Sequence, residues 1–478
     1  MMITNVISKI REARGNEKIR IMEDEKSEML EKSLLYCYNP YWIYGIQKKS
    51  YDKARIDHMG LHPHYNDEKT LGEFFIILQN YAKANGVTTS QITAIKEFIK
   101  DKPKDIQELL EGVLFKDLKL GIDGKTIQKV FPSFPVYTIQ KANTFSGGSL
   151  PFENNRVSRK FDGLRFTAIK VNGEVFMLSS NGIPFPHFYK IKNQLAKLDL
   201  DNYVYDGEVG FVNDNGLEDF KKALKAGASK NVTPWDNDMR ALVFDKVLRP
   251  IYIARNYAAL VMVLGNQAAI PLTPGSQGMT SAPFLDSYTS LMNELVGYDF
   301  TNKPIYSGKG YFRSAHCPNI YLVEQRKVDT WEELSELFKY AYQQKWEGLM
   351  LRNADHPYEF KRHKHLLKMK QFETGEFNII NFVEGTGRLQ GTLGAVVIDY
   401  DGFQVKVGSG FSDRERKVMW ATAGIFLNNP IKIKIQYKQK SKNSKGGESL
   451  QFPTFLCLQH PNGAEATVDE IVGEYDEV

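Results

Sequence analysis

The run VSRKFDGLRF, residues 157 to 166, places Lys160, Asp162, Gly163 and Arg165 within six consecutive positions. Taken alone, K-x-D-G reads as a charged strand end followed by a surface turn. A lysine acts as a nucleophile only when it is held against an electrophile by groups suited to its substrate, and such groups recur in order along the chain. DGEV (206–209) ends an apolar strand, VFDKV (243–247) sets Phe244 beside an acid, EGLMLR (347–352) opens another strand, and LLKMK (366–370) puts Lys368 and Lys370 on one strand face. Together they offer carboxylates for ribose hydroxyls and Mg²⁺, an aromatic face for a purine and paired lysines for phosphates. The chemistry this set suits is attack by the Lys160 amine on the α-phosphorus of a nucleoside triphosphate, expelling pyrophosphate.

The elements that must position these residues change character along the chain. In IQELLEGVLF, Ile106, Leu109, Leu110, Val113 and Leu114 recur at a helical period, and Ile92, Ile95, Phe98 and Ile99 do so one helix earlier behind the possible caps Thr88, Thr89 and Ser90. After FPSFPVYT come short runs rich in Val, Ile, Phe and Tyr, punctuated by Asn-Gly and Asp-Gly, which predict strands. The segment 265–318, low in charge where it reads NQAAIPLTPGSQGMTSAPF, is taken as an insertion before the helical pattern WEELSELFKYAYQQ. Strands return in the last 105 or so residues, a length that suits a small barrel of the OB type. The expected architecture is therefore multi-domain, α and α+β: an all-helical domain over 1–135, an α+β domain over 136–371 and an OB-fold β-barrel over 372–478.

The 478 residues carry a formal charge of +5 with 25% charged residues, so net charge alone does not identify a nucleic-acid partner. Cys37, Cys317 and Cys457 lie far apart, which argues against a disulfide framework or a cysteine-rich zinc site. His58, His62 and His64 lack accompanying cysteines, and Pro63 breaks any helix that would align them, so a zinc site there is not expected. The N-terminus has no continuous apolar segment of the signal-peptide kind, and YAALVMVLG is too short to cross a bilayer. A cytoplasmic location (the host's, for a viral protein) and a monomer without membrane association are the expectations.

In order and approximate spacing, KFDGLR, DGEV, the Phe-Asp of VFDKV, EGLMLR and LLKMK resemble the successive motifs of the covalent nucleotidyltransferases, the ATP-dependent DNA ligases and mRNA capping enzymes. The flanks favour a ligase of the compact viral and bacteriophage type: FKDLKLGIDGKTIQKVFPSF (115–134) is similar to the end of a ligase helical DNA-binding domain, and residues 382–413, with their GSGFSD turn, resemble the ligase OB domain. The resemblance implies a nucleotidyltransferase (adenylation) domain at 136–371, ATP as cosubstrate, Mg²⁺ or Mn²⁺ as cofactor and nicked duplex DNA as partner. It makes Lys160 the nucleophile that is adenylated. It places Arg165, Glu208, Phe244, Glu347, Lys368 and Lys370 around the nucleotide, with Arg255 in IARNYAAL as a further arginine, and it puts Asp162, Glu208 and Glu347 near the metal.

Lys116, Lys119 and Lys125 in the helical domain, and Lys438 and Lys440 in the basic run 432–445, are candidate DNA-phosphate contacts or else solvated faces. The same alternatives stand for Lys221, Lys222 and Lys225. Two departures touch the loading step. Ser180, in the turn Ser179–Gly182, stands where the family often has a phosphate-binding arginine, with His187 or Lys190 as replacements. Gln451 and Gln459 stand where ligases carry arginines that orient pyrophosphate, so slow adenylation or replacement by Lys438, Lys440 or Lys442 is expected. Two other readings share these motifs: a capping guanylyltransferase or RNA ligase, and a non-catalytic DNA-binding protein with a degenerate nucleotidyltransferase core.

Overall fold

The computed structural model describes residues 2–56, 67–83, 86–145, 149–213, 216, 218–229, 231–265, 279–296, 308–370, 372–429, 431–437, 440–442, 447–450 and 452–476. Two compact units emerge, Met1–Met369 and Lys370–Val478. His58, His62, His64, Lys438 and Gln451 lie outside the described residues.

The first unit begins with helices whose apolar stripes meet in one core. The helix Lys104–Leu114 buries Ile106, Leu109, Leu110, Val113 and Leu114, as its periodicity predicts. The helix Thr89–Lys100 buries Ile92, Ile95 and Ile99, and a capping box starts it: Thr88 accepts from Gln91 N while the Gln91 side chain accepts from Thr88 N.

Two sheets follow. One has the order β1 (Lys141–Thr144), β11 (Arg362–Lys370), β10 (Gly348–Asn353), β2 (Asn155–Lys160) and β9 (Arg326–Val328). The other has the order β4 (Glu174–Ser179), β3 (Leu164–Val171), β5 (Tyr203–Phe211), β6 (Met239–Leu248), β8 (Ile320–Val323) and β7 (Tyr311–Arg313). Both faces of the second sheet are covered, so β5 and β6 are buried along nearly their whole length instead of alternating. The helix Arg249–Leu264 packs on one face. On the other, the helix Phe284–Leu295 sets Phe284, Tyr288, Leu291, Met292 and Leu295 into the core shared by β3, β5 and β6. The described parts of the segment read as an insertion thus help to build the core, with Tyr311–Arg313 adding an edge strand; residues 266–278 and 297–307 lie outside the description. The helix Trp331–Gln343, started by the Thr330–Glu333 capping box, packs against the first sheet.

In the second unit, β12 (Glu373–Glu384), β13 (Leu393–Tyr400), β14 (Phe403–Val407), β15 (Lys432–Tyr437), β18 (Thr454–Gln459) and β19 (Glu465–Ala466) form one sheet in the order β14-β13-β12-β15-β18-β19, and β16 (Lys440–Lys442) pairs with β17 (Glu448–Leu450). The long β12 pairs with β15 through its first half and with β13 through its second, bending the sheet around its own core. Ser412 in the GSGFSD turn caps the helix Asp413–Ala421.

Candidate active site

Lys160 is the last residue of β2 in the first sheet, and β3 of the second sheet starts four residues later, so Phe161–Gly163 carries the chain from one sheet to the other. Gly163 is required at this crossing because a Cβ would stand 2.7 Å from the Val209 carbonyl and 2.8 Å from Glu208 Cγ. The same closeness holds at Gly207, where a Cβ would stand 2.6 Å from the Leu242 carbonyl and 2.7 Å from the Phe166 ring. Any side chain at these two positions would push apart the strands that carry the site.

Register explains the first contact. Gly348 on β10 is the antiparallel partner of Lys160, which brings the preceding residue, Glu347, against the Lys160 ammonium; Nζ donates to Glu347 Oε2. Glu347 is nearly inaccessible, at 5% side-chain exposure, while Lys160 keeps 21%. On β3 and β5, Arg165 and Glu208 are also cross-strand partners. Arg165 grips Asp206 through two bonds, Nε to Oδ1 at 2.6 Å and Nη2 to Oδ2 at 2.7 Å, and Tyr358 donates to Asp206 Oδ2 at 2.6 Å. The Arg165 guanidinium lies over the Phe244 ring, 4.4 Å from its centroid. Burial pushes the Glu208 carboxyl up to about 7, with Lys160 and Arg165 opposing that rise and Glu347 and Asp206 adding to it.

These groups share one cavity of about 240 Å³ between the two sheets, lined by Lys160, Arg165, Glu208, Phe244 and Lys368 together with Ser180, Lys141, Arg352 and Arg362. A larger cavity, of about 630 Å³, lies against Trp346 and Tyr340 and is lined by none of the predicted site residues. The predicted set is thus brought together in part. Glu347 joins through its contact with Lys160, and Asp162 follows Lys160 in the crossing segment. Lys370, at the end of β11, is outside the cavity lining.

Other candidates stand elsewhere. Arg255 is exposed on the helix Arg249–Leu264 and lines a separate cavity with Ile251, Tyr358 and Phe360, because its helix covers the far face of the second sheet. His187 is buried, 2.7 Å from Asp236 through Nδ1 and edge-on to Phe188, so it is a core residue and not a substitute for the arginine absent at Ser180. Lys190 is exposed and outside the cavity lining. Lys116 turns inward: Nζ donates to the carbonyls of Tyr36 and Asn39 at 2.8 and 3.0 Å, closing the C-terminal end of the helix Glu28–Tyr38, and burial lowers its pKa to about 8. That placement occupies the ammonium with main chain, whereas Lys119 and Lys125 are exposed.

On the helix Phe220–Ala228, Lys221 and Lys225 face solvent, while Lys222 lies over Phe211. In the second unit Lys440 is exposed with Nζ 5.8 Å from the Tyr400 ring centroid, and Gln459 is buried, its Nε2 donating to Glu376 Oε1 at 2.7 Å. Gln459 is therefore a neutral strut between strands.

Sequence reasoning gave no role to Asp206, Asp245, Arg352 or Tyr358. Asp245 of VFDKV is ion-paired with Arg352 of EGLMLR, which ties β6 to β10 across the two sheets; burial pushes the Asp245 carboxyl up to about 6 against the pull of Arg352. The available signal was charge inside apolar strands, which persists only when partnered.

Residues 299–370 match the family described as ATP dependent DNA ligase domain, and residues 384–459 the family described as DNA ligase OB-like domain. A DNA ligase of Haemophilus influenzae is 31% identical over 98 residues, 20% of this chain and 37% of that protein. A DNA ligase of Thermococcus onnurineus is 30% identical over 178 residues, 32% of each. The chain thus matches about a third of the length of these curated relatives. The solved structure Pmar-Lig_PreS3 superposes with a TM-score of 0.69 at 20% identity, covering 95% of this chain and 98% of that one, a likeness of fold.

Proposed function

We propose, from the premise that the chain carries the adenylation and OB-like domains of the ATP-dependent DNA ligase family behind an N-terminal helical region, that it seals 5′-phosphate/3′-hydroxyl nicks in duplex DNA using ATP. The observation that carries this reading is the contact of Lys160 with Glu347 at the junction of two sheets, with Lys160 lining a cavity together with Glu208, Phe244 and Lys368.

In the first step the Lys160 nitrogen attacks the α-phosphorus of ATP. An N–P bond forms, the bond to the α,β-bridging oxygen breaks with its electron pair leaving on pyrophosphate, and the nitrogen gives up a proton, for which Glu347 is the adjacent acceptor. Phe244, which lines the cavity, offers its ring to the adenine, and Lys368, in the same lining, faces the phosphate. An oxygen of the 5′-phosphate then attacks the same phosphorus, and Lys160 leaves with a proton restored. The 3′-hydroxyl oxygen finally attacks the 5′-phosphate, forming the phosphodiester and expelling AMP.

Glu208 and Glu347, with Asp162 nearby in sequence, are hard oxygen donors of the kind Mg²⁺ shares with substrate phosphates. Among the described residues no three metal-ligating side chains stand together, which fits a cation held by one or two carboxylates and the nucleotide itself. Bound there, Mg²⁺ or Mn²⁺ would neutralise phosphate charge. DNA contacts through Lys119, Lys125 and Lys440, action as a cytoplasmic monomer, and kinship with the compact viral and bacteriophage type complete the reading, the last on motif resemblance alone. No helix among the described residues is long and apolar enough to cross a membrane.

A singly nicked duplex incubated with ATP, NAD or GTP tests the reading. Sealing with ATP is expected. Sealing with NAD alone, or protein labelling from GTP alone, would contradict it.

A further inference from the structure

Four cations in or beside the cavity are each matched to a carboxylate: Lys160 to Glu347, Arg165 to Asp206, Arg352 to Asp245 and Arg159 to Glu218. The edge made by β1 and β11 is built otherwise. Lys141 and Arg362 are direct partners in the parallel ladder, with Lys141 N bonded to the Lys361 carbonyl at 3.0 Å. Adjacent strands run about 4.8 Å apart, so two cations start side by side on one face of the sheet. Like charges so placed repel. Arg362 donates to the Ala142 carbonyl, and among the described residues neither side chain is ion-paired with a carboxylate.

Both residues are exposed, and both line the cavity that holds Lys160 and Ser180. Burial lowers the Lys141 pKa, and the nearby charges of Lys125, Arg362 and Arg165 lower it further. A strand pair that keeps two uncompensated cations at a cavity mouth is suited to an anion that arrives from outside. Because Lys141 and Arg362 line the same cavity as Lys160 and Phe244, the phosphates of a nucleotide held there lie within their reach.

We propose that Lys141 and Arg362 bind the β- and γ-phosphates of the incoming nucleoside triphosphate, supplying the charge that Ser180 and Gln459 do not. The inference rests on the nucleotide-binding reading above. It makes the β1–β11 edge a specificity element that favours a triphosphate over the AMP it leaves behind. As positioning residues, Lys141 and Arg362 orient the pyrophosphate leaving group and take no part in sealing by enzyme that is already adenylated.

The test compares binding of AMP and of α,β-methylene ATP, whose bridging carbon blocks transfer to Lys160, in the full chain. With Lys141→Gln/Arg362→Gln, the affinity for the triphosphate analogue should fall about tenfold or more, the scale of lost charge-assisted contacts. AMP affinity should stay within about twofold of wild type, because the base and sugar contacts are untouched. Lys141→Arg should retain the analogue's advantage. An unchanged ratio of the two affinities, an equal loss for both ligands, or a loss seen only in binding or sealing of nicked DNA would overturn the proposal. Wild-type protein that binds neither nucleotide would instead overturn the reading beneath it.

Discussion

In the unit that ends at Met369, the side chains of Asp206, Asp245 and Glu347 are 0%, 2% and 5% exposed, and each faces an arginine or lysine. In the unit from Lys370 onward, Arg388–Asp413 and Arg414–Asp469 are ion pairs whose members are all more than half exposed. The interaction type is the same, but its physical consequence differs. A desolvated charge has no water to fall back on, so its partner's position is fixed strictly. An exposed pair is screened and exchanges freely with solvent. Around Lys160, then, charge specifies geometry, whereas on the second unit it chiefly keeps the surface hydrated.

The largest expected break in that contrast is Asp206→Ala, which removes the acceptor of both Arg165 and Tyr358. It should destabilise the first unit by about 3–5 kcal/mol, the usual cost of leaving a buried charge without its partner. Urea unfolding would measure this, and a loss under about 1 kcal/mol would show that the Arg165–Asp206 pair behaves like a surface pair.

Glu208 gives the next effect, through pH. Its carboxyl is held near 7 against 4.5 for an ordinary glutamate, chiefly by burial, so the folded protein keeps a proton that the unfolded chain releases. That contribution to stability is fully present below about 4.5 and is lost as pH rises through about 7. Glu208→Gln should remove this slope, making stability less pH-dependent by about 2–3 kcal/mol between about pH 5 and about pH 8. Parallel profiles for wild type and variant would contradict it. The smallest effect belongs to Arg388→Ala, expected to cost at most about 0.5 kcal/mol at low salt and nothing measurable at high salt. A larger loss that persists in salt would mean the two units differ less than their exposures indicate.

How much of this was legible in the sequence depended on the range of the interaction. The helix Lys104–Leu114 and the capped helix Trp331–Gln343 follow from periodicity and end signals alone, because their hydrogen bonds are local. The motif residues that share the cavity, Lys160, Arg165, Glu208, Phe244 and Lys368, were readable from strand ends and residue types. Directions of individual side chains were not. Lys116 looked like a phosphate contact, yet it closes a helix that ends 78 positions earlier in the chain, an outcome set by tertiary packing. Arg255 sits on a helix whose orientation over the sheet places it at another cavity. Lys141 and Arg362 carried no local signal at all, since only the pairing of β1 with β11 makes them neighbours. The segment 284–295 was hidden for the opposite reason: its flanks are low in charge and rich in small residues, which masks a helix whose apolar face completes the core.

The central claim is that Lys160 takes AMP onto its side-chain nitrogen. Wild-type protein and Lys160→Arg, which keeps the charge facing Glu347, should be incubated with α-labelled ATP and Mg²⁺, denatured, and examined for retained label. The account predicts label on wild type that survives denaturation and is released by acid, as a phosphorus–nitrogen bond requires, and none on Lys160→Arg. Label retained by Lys160→Arg at a level comparable to wild type would contradict it.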